Sequence, residues 1–460
     1  MDRLKRAYLF SIALVICFVT ACFHSSEHTA YLKKDTAFVQ QNQRDNKKLI
    51  RQYYNENVLL YENTDDTYEL TMFSSPVYIE ENNSYNLCDN TLDILEEDEA
   101  VYTNHRNDIK VRLPQRLSDI RGMELSDGKR KLVVTPVTAE SGKTKKSTYT
   151  DIYGEASERL RYSSIFGQNT YTVQADDFGV NTELEIKDDT STLEYWLDIE
   201  NVTVDQSCPD YILFRRVKDQ EPAAVVYKPV VKRQDESLID SMTGEDACGM
   251  RITEEGLNRY RLTIVLPGRL TENRDAYPLK LNQSFHMYKP KQADSAIYSL
   301  SDEGYFLQDK VVLGYSEKGE SELNIRFEAL SLLDIPAEDI LSATYTINEI
   351  SGSTETATIM LYPILGEWCS INTRWYNKPQ KTEEYAQTLE ISQSGAYSFD
   401  ITEPLRLWMK NQELETGYII RHGFALVNTT PDAPKVFATA DNGIFTTCLT
   451  IQLKRWEDSK

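Results

Sequence analysis

The chain has 460 residues, with 50 Lys and Arg against 72 Asp and Glu, a formal charge of −22. So acidic a chain is a poor candidate for nucleic acid or an anionic membrane surface, and no nucleic-acid partner is expected. The length predicts two or three domains. A composition 40% hydrophobic and 10% aromatic supplies enough apolar surface for globular cores.

The first element is an export signal. Arg3, Lys5 and Arg6 precede an uncharged apolar run at 7–19, the pattern of a signal peptide. The run is shorter than the roughly 20 apolar residues a membrane-spanning helix needs. Val19-Thr20-Ala21-Cys22 follows and resembles the lipobox of bacterial lipoproteins. The resemblance implies cleavage before Cys22, a diacylglyceryl group on its sulfur, and attachment at the outer face of the bacterial cell membrane. Several acyl chains on one cysteine hold far better than one. The alternatives are an ordinary signal peptide, or an uncleaved N-terminal anchor, that happens to contain a cysteine.

Residues 22–60 read as a polar tether. Within it, 35–56 lacks Gly and Pro and is compatible with a helix, although its apolar spacing is poor. The acidic run Glu96-Glu97-Asp98-Glu99 reads as a solvated loop or strand end. From about residue 100, short runs alternate apolar and polar residues between Gly, Pro, Asn, Asp and Ser. Tyr260, Leu262, Ile264 and Leu266 fall on one face of one run, against Arg261, Thr263 and Val265. Leu323, Ile325, Phe327 and Ala329 alternate with Asn324, Arg326 and Glu328. Leu341, Ala343, Tyr345 and Ile347 alternate with Ser342, Thr344, Thr346 and Asn348. A period of two predicts strands with one buried face, and many of them at short spacing predict sandwiches or barrels. Near the end, Thr402 is placed to cap a helix and Pro404 fits its first turn; Leu405, Trp408 and Met409 then share a face. The expected fold is mainly β: two sandwich or jelly-roll-like domains, 61–290 and 291–455, after a signal peptide at 1–21 and the polar, partly helical segment.

Beyond Cys17 and Cys22, the cysteines are Cys88, Cys208, Cys248, Cys369 and Cys448. They are scattered and odd in number, with no C-x-x-C pair, so zinc sites, redox motifs and a full disulfide framework are not expected. No cofactor is expected. Hard cations such as Ca²⁺ suit clustered carboxylates, but no motif assigns one.

Residues 293–453 resemble the DNRLRE-type domain of secreted bacterial proteins. The resemblance rests on Asp294-Ser295-Ala296-Ile297-Tyr298, Leu313-Gly314-Tyr315, Trp368, Thr373-Arg374-Trp375, Lys378-Pro379, Phe399-Asp400-Ile401-Thr402, Gly423-Phe424-Ala425-Leu426, Phe437-Ala438 and Cys448-Leu449-Thr450-Ile451. It implies a jelly-roll related to carbohydrate-binding modules. Residues 101–290 resemble the region preceding such a domain in RHS-type, wall-associated proteins, through Tyr102-Thr103-Asn104, Val111-Arg112-Leu113-Pro114, Tyr162-Ser163-Ser164-Ile165-Phe166 and Tyr277-Pro278-Leu279. The Tyr-Asp repeats of those proteins are absent, so no toxin-delivery role is carried over.

No nucleophile elbow, Walker loop, H-E-x-x-H or dinucleotide fingerprint is present, and no catalytic residue is assigned. Trp375 and Trp408 read as core. Trp368 and Tyr376 are the candidates for exposed rings that stack on a sugar, with Arg374 bonding its hydroxyls; packing is the favoured role for both rings. Asp400 is expected to fix the turn before the helix. The expectation is a non-catalytic surface lipoprotein that binds a polysaccharide or cell-wall glycan through its C-terminal sandwich. The alternatives are a scaffold for an envelope protein and, less favoured, a hydrolase or lyase.

Overall fold

In the computed structural model the described residues are 47–456, apart from 53–56, 75–77, 82–83, 96–97, 151–155, 188–189, 209, 233–247, 269–276, 289–292, 302–304, 306, 328–329, 331–334, 351–353, 371–372, 412–413, 415–419, 443–444 and 446. The described chain is mainly β, organised as two sandwiches. Cys22, the signal peptide and Glu96-Glu97 lie outside the described residues.

The first sandwich runs from Asp89–Leu95 to Leu279–Met287. One sheet has the order Gly249–Gly256, Arg259–Val265, Thr192–Ile199, Lys131–Pro136, Met123–Ser126, Lys110–Pro114, Asp98–Arg106 and Asp89–Leu95. The other has the order Lys145–Thr150, Ala156–Ile165, Asn169–Ala175, Gly179–Ile186, Leu279–Met287, Pro222–Tyr227, Tyr211–Arg216 and Val202–Asp205, with Val230–Lys232 also paired to Leu279–Met287. Inward residues of both sheets, among them Val111, Leu125, Leu197 and Leu262 from one and Leu160, Val173, Leu184 and Phe285 from the other, form one core. Of the alternation expected at 260–266, Tyr260, Leu262, Ile264 and Leu266 are buried and Val265 is exposed, but Thr263, on the other face, is buried as well.

The second sandwich pairs an eight-stranded sheet with a five-stranded one. The latter has the order Ala293–Tyr298, Ser321–Arg326, Phe424–Asn428, Ala357–Pro363 and Gln387–Ile391. The former contains Lys310–Leu313, Lys435–Ala438, Ile340–Glu349, Gly395–Asp400 and Cys448–Leu453, and continues past Cys448–Leu453 into Tyr68–Phe73, Val58–Glu62 and Lys48–Gln52. The chain is therefore strand at Lys48–Gln52 and Val58–Glu62, within the range read as tether and, for 48–52, helix. Val58, Leu60, Leu70 and Met72 are buried in the C-terminal core. Glu69 in this hairpin is held by Lys47 Nζ at 2.8 Å and by the Gln452 amide. The first sandwich is thus an insertion between two parts of the second.

A bulge breaks the alternation at the start of Ile340–Glu349. The register with Cys448–Leu453 shifts between Ile340 and Ser342. One residue is then unpaired, so Leu341 is exposed and Ile340 takes the buried place.

The helix Thr402–Lys410 lies against this sheet, with Leu405 in the core and Trp408 and Met409 packed on it. Thr402 does not cap it. Its Oγ1 accepts from the Ala343 amide at 2.9 Å and donates to Asp400 Oδ1 at 2.6 Å, while Ile401 occupies the cap position. Asp400 also accepts from the Thr402 amide, fixing the turn as expected.

The two sandwiches share a junction. On Tyr211–Arg216 and Pro222–Tyr227, Ile212, Phe214, Ala224 and Val226 face the first core, whereas Tyr211, Leu213, Val225 and Tyr227 join the second. Asp210 accepts from Gln308 Nε2 at 2.7 Å and pairs with Lys318, whose ammonium lies over the rings of Tyr298 and Tyr305.

Candidate functional site

The outward face of the five-stranded sheet is where the sequence-predicted binding residues collect. Leu323 and Ile325 point into the core, so Glu322, Asn324 and Arg326 point out. The described residues 365–370 and 373–386 fold back over this face, with Trp368 on Ala425 and Lys378 and Lys381 on Glu322. The ends of this stretch are fixed by backbone bonds from Leu365 N–H to the Gln380 carbonyl and from Thr382 N–H to the Pro363 carbonyl. Lys378 and Lys381 both reach the same oxygen of Glu322, at 2.7 and 2.5 Å, and the Glu322 carboxylate is buried beneath them.

Trp368 does not stand out as an exposed ring. It is 8% exposed and packs with Ile364 and Ala425. Its indole N–H donates to the His422 carbonyl at 2.7 Å, and Arg326 lies over the ring while donating to the Trp368 carbonyl. The ring takes the packing role, turned onto the small Ala425. Trp375, expected in the core, is half-buried instead. It opens a short 3-10 turn, Trp375–Asn377. The turn is closed by the Arg374 amide donating to Asn377 Oδ1 at 2.6 Å and the Asn377 amide donating to the Arg374 carbonyl. Tyr376, at the crest, is 75% exposed and does not take the packing role. The Lys378 ammonium lies 3.6 Å from the Trp375 ring centroid, a cation–π contact. Arg374 is turned inward far enough to donate to the Thr373 carbonyl.

Electrostatically the site mixes signs. Burial and the neighbouring Arg421 hold the His422 imidazole below its usual range, against a smaller pull from Glu367. Burial, then Glu383 and Glu322, push the Tyr362 phenol up. Gly423, beside His422, has φ +98°, and a Cβ there would meet the Ile325 carbonyl oxygen at 1.9 Å. Only glycine allows this close approach.

Sequence reasoning did not single out Glu322, Lys381, Asn324 or Ser295. A charged or polar residue on the outward side of a strand reads as solvated, and the segment covering it is far along the chain. Among the described residues no group of three or more His, Cys, Asp or Glu is placed to hold a metal ion. Cys88, Cys208, Cys248, Cys369 and Cys448 are unbridged. No described helix is long and apolar enough to cross a membrane.

No family model matches the chain, and no curated protein matches it. Solved structures aligned with it include the exo-β-1,3-galactanase of Phanerochaete chrysosporium with galactose, at 8% identity and a TM-score of 0.12, covering 88% of this chain and 95% of that one. A variant of that enzyme with β-1,3-galactotriose aligns at 8% identity and a TM-score of 0.13, with the same coverage. Scores this low carry no argument about this chain.

Proposed function

We propose that this chain is a non-catalytic lipoprotein held at the outer face of a bacterial membrane through Cys22. Its second sandwich binds a polysaccharide or cell-wall glycan at the face covered by 365–386. The observation that carries the reading is the crest of that segment. Tyr376 is largely exposed on a turn braced by the Arg374–Asn377 bonds, and the half-buried Trp375 ring adjoins the ammonium of Lys378. Flat rings stack on the apolar faces of sugars, and a braced turn presents them at little entropic cost.

The test is a glycan array with the soluble chain 23–460 beside Tyr376→Ala and Trp375→Ala. Binding that weakens about tenfold, one stacked ring being worth about 1.4 kcal/mol, supports the reading. A folded protein that binds no glycan overturns it and directs the search to an envelope protein partner.

A further inference from the structure

Lys378 and Lys381 converge on one oxygen of Glu322, at 2.7 and 2.5 Å, so their nitrogens lie within the sum of those distances, 5.2 Å, of each other. One carboxylate cancels one of the two charges. Among the described residues no other carboxylate is in ion-pair range of either ammonium, and this includes Glu383, which lies near Tyr362. An ammonium has three donors. One donor of each lysine goes to Glu322. The other contacts are to ring faces, Trp375 for Lys378 and Tyr362 for Lys381. Four N–H donors on two adjacent cations are thus left without an acceptor among the described residues. The lysine side chains are 31% and 26% exposed, and that of Glu322 beneath them is 5% exposed. A ligand arriving here meets the lysines rather than the carboxylate. The exposed Tyr376 ring is two residues before Lys378, and Trp375 touches its ammonium, so a sugar stacked at the crest has these cations beside it.

We propose that Lys378 and Lys381 form a site for an oxyanion carried by the glycan, a carboxylate or a phosphodiester, and that the site selects acidic over neutral polysaccharide. The proposal rests on the glycan-binding reading and names its substrate class. An oxyanion accepts at two oxygens and takes an N–H from each ammonium, setting two anions against two cations in charge-assisted bonds. A neutral hydroxyl accepts as well but leaves the surplus charge in place. A cationic ligand brings no acceptor and is repelled. The formal charge of −22 opposes an acidic polymer at long range. Physiological salt screens that field over about 8 Å, so contacts at hydrogen-bond range decide the outcome.

The test measures binding of the soluble chain 23–460 to uronic-acid oligomers, to the same oligomers after carboxyl reduction, to glycerol-phosphate oligomers and to neutral oligosaccharides. Glu322→Gln and the triple variant Lys378→Gln/Lys381→Gln/Glu322→Gln are run beside it. The triple variant removes all three charges together, so no buried carboxylate is left unpaired, and thermal melts show that each variant is folded. The expected result is binding to an acidic oligomer at least tenfold tighter than to the neutral ones. That preference disappears in the triple variant and is kept or increased in Glu322→Gln, which lacks the competing carboxylate. The uronic-acid and glycerol-phosphate arms show which oxyanion is taken. Equal binding of acidic and neutral oligomers, or an acidic preference that survives in the triple variant, overturns the oxyanion site while sparing the glycan-binding reading. Absence of binding to any oligomer overturns both.

Discussion

Met72 lies opposite Leu449 in adjacent antiparallel strands, so the N-terminal strand Tyr68–Phe73 and the last described strand, Cys448–Leu453, are neighbours in one sheet. A fragment that begins at residue 291 lacks Val58, Leu60, Leu70 and Met72, each buried in the C-terminal core. Full burial of such a side chain is worth about 1.5–3 kcal/mol. Together these come to about 6–12 kcal/mol, comparable to the whole margin of an ordinary domain, about 5–15 kcal/mol. Fragment 291–460 is therefore expected to aggregate or to lack a cooperative melt, and co-expression with residues 47–74 to restore one. A fragment that melts like the whole protein would show that the N-terminal strands are dispensable.

Trp368 and Tyr376 separate packing from presentation. Trp368→Ala empties a buried position and removes a bond to the His422 carbonyl. It is expected to cost about 3–5 kcal/mol in denaturant unfolding. Tyr376→Ala removes an exposed ring and should change stability by less than about 0.5 kcal/mol. Equal losses in the two variants would contradict the geometry.

Asp176 is a buried carboxylate that accepts from the Phe178 and Gly179 amides at 2.8 and 2.7 Å and meets His286 Nε2 at 2.8 Å. Burial pushes its pKa up, but His286 and the two amides outweigh burial and bring it below the ordinary carboxylate value. A depressed folded-state pKa means that the stabilisation is fully present above the unfolded value, about 3.9. It is lost as pH falls through the folded one. Asp176→Asn is expected to cost on the order of 3 kcal/mol near neutrality. It should also flatten the acid limb below about pH 4, read by denaturant midpoints across pH. An unchanged acid limb would refute the assignment.

The bulge at Ile340 makes a contrast within one strand. Ile340→Ala is expected to destabilise by about 2–5 kcal/mol, whereas Leu341→Ser, on the exposed neighbour, should be close to neutral. A reversed order in thermal melts would mean that the register is the unbroken one.

Gly423→Ala sets a Cβ against the Ile325 carbonyl at a positive φ. It should destabilise by more than the roughly 0.4–1 kcal/mol by which the lower unfolded-chain entropy of alanine would otherwise stabilise. A neutral melt would show that the strand Phe424–Asn428 sits further from Ser321–Arg326.

What was legible in the sequence was the period of two. It located Arg259–Val265 and the inward sides of Ser321–Arg326 and Ile340–Glu349, because local sterics alternate side chains whatever the tertiary partner. What pairing decides was not legible. Leu341 keeps the apolar pattern yet faces out, since the bulge depends on the register with Cys448–Leu453. Residues 48–62 look like a tether because their strand partners lie at the other end of the chain. Trp375 reads as core yet is half-buried, because a covering segment, not a strand period, decides which ring finds Ala425. Asn324 shows the same limit: its outward position was readable, its burial was not.

The pairing of Tyr68–Phe73 with Cys448–Leu453 also sets an order of events during folding. Contacts that distant in sequence form late, since loop closure must precede any gain from them. The inserted sandwich has its own core and can condense while the early hairpin waits with an unsatisfied edge for the last strand. An unpaired edge invites pairing with another chain. Aggregation on refolding should therefore be governed by the delay before residue 448 arrives, and a peptide copying Cys448–Leu453 should suppress it when supplied in trans.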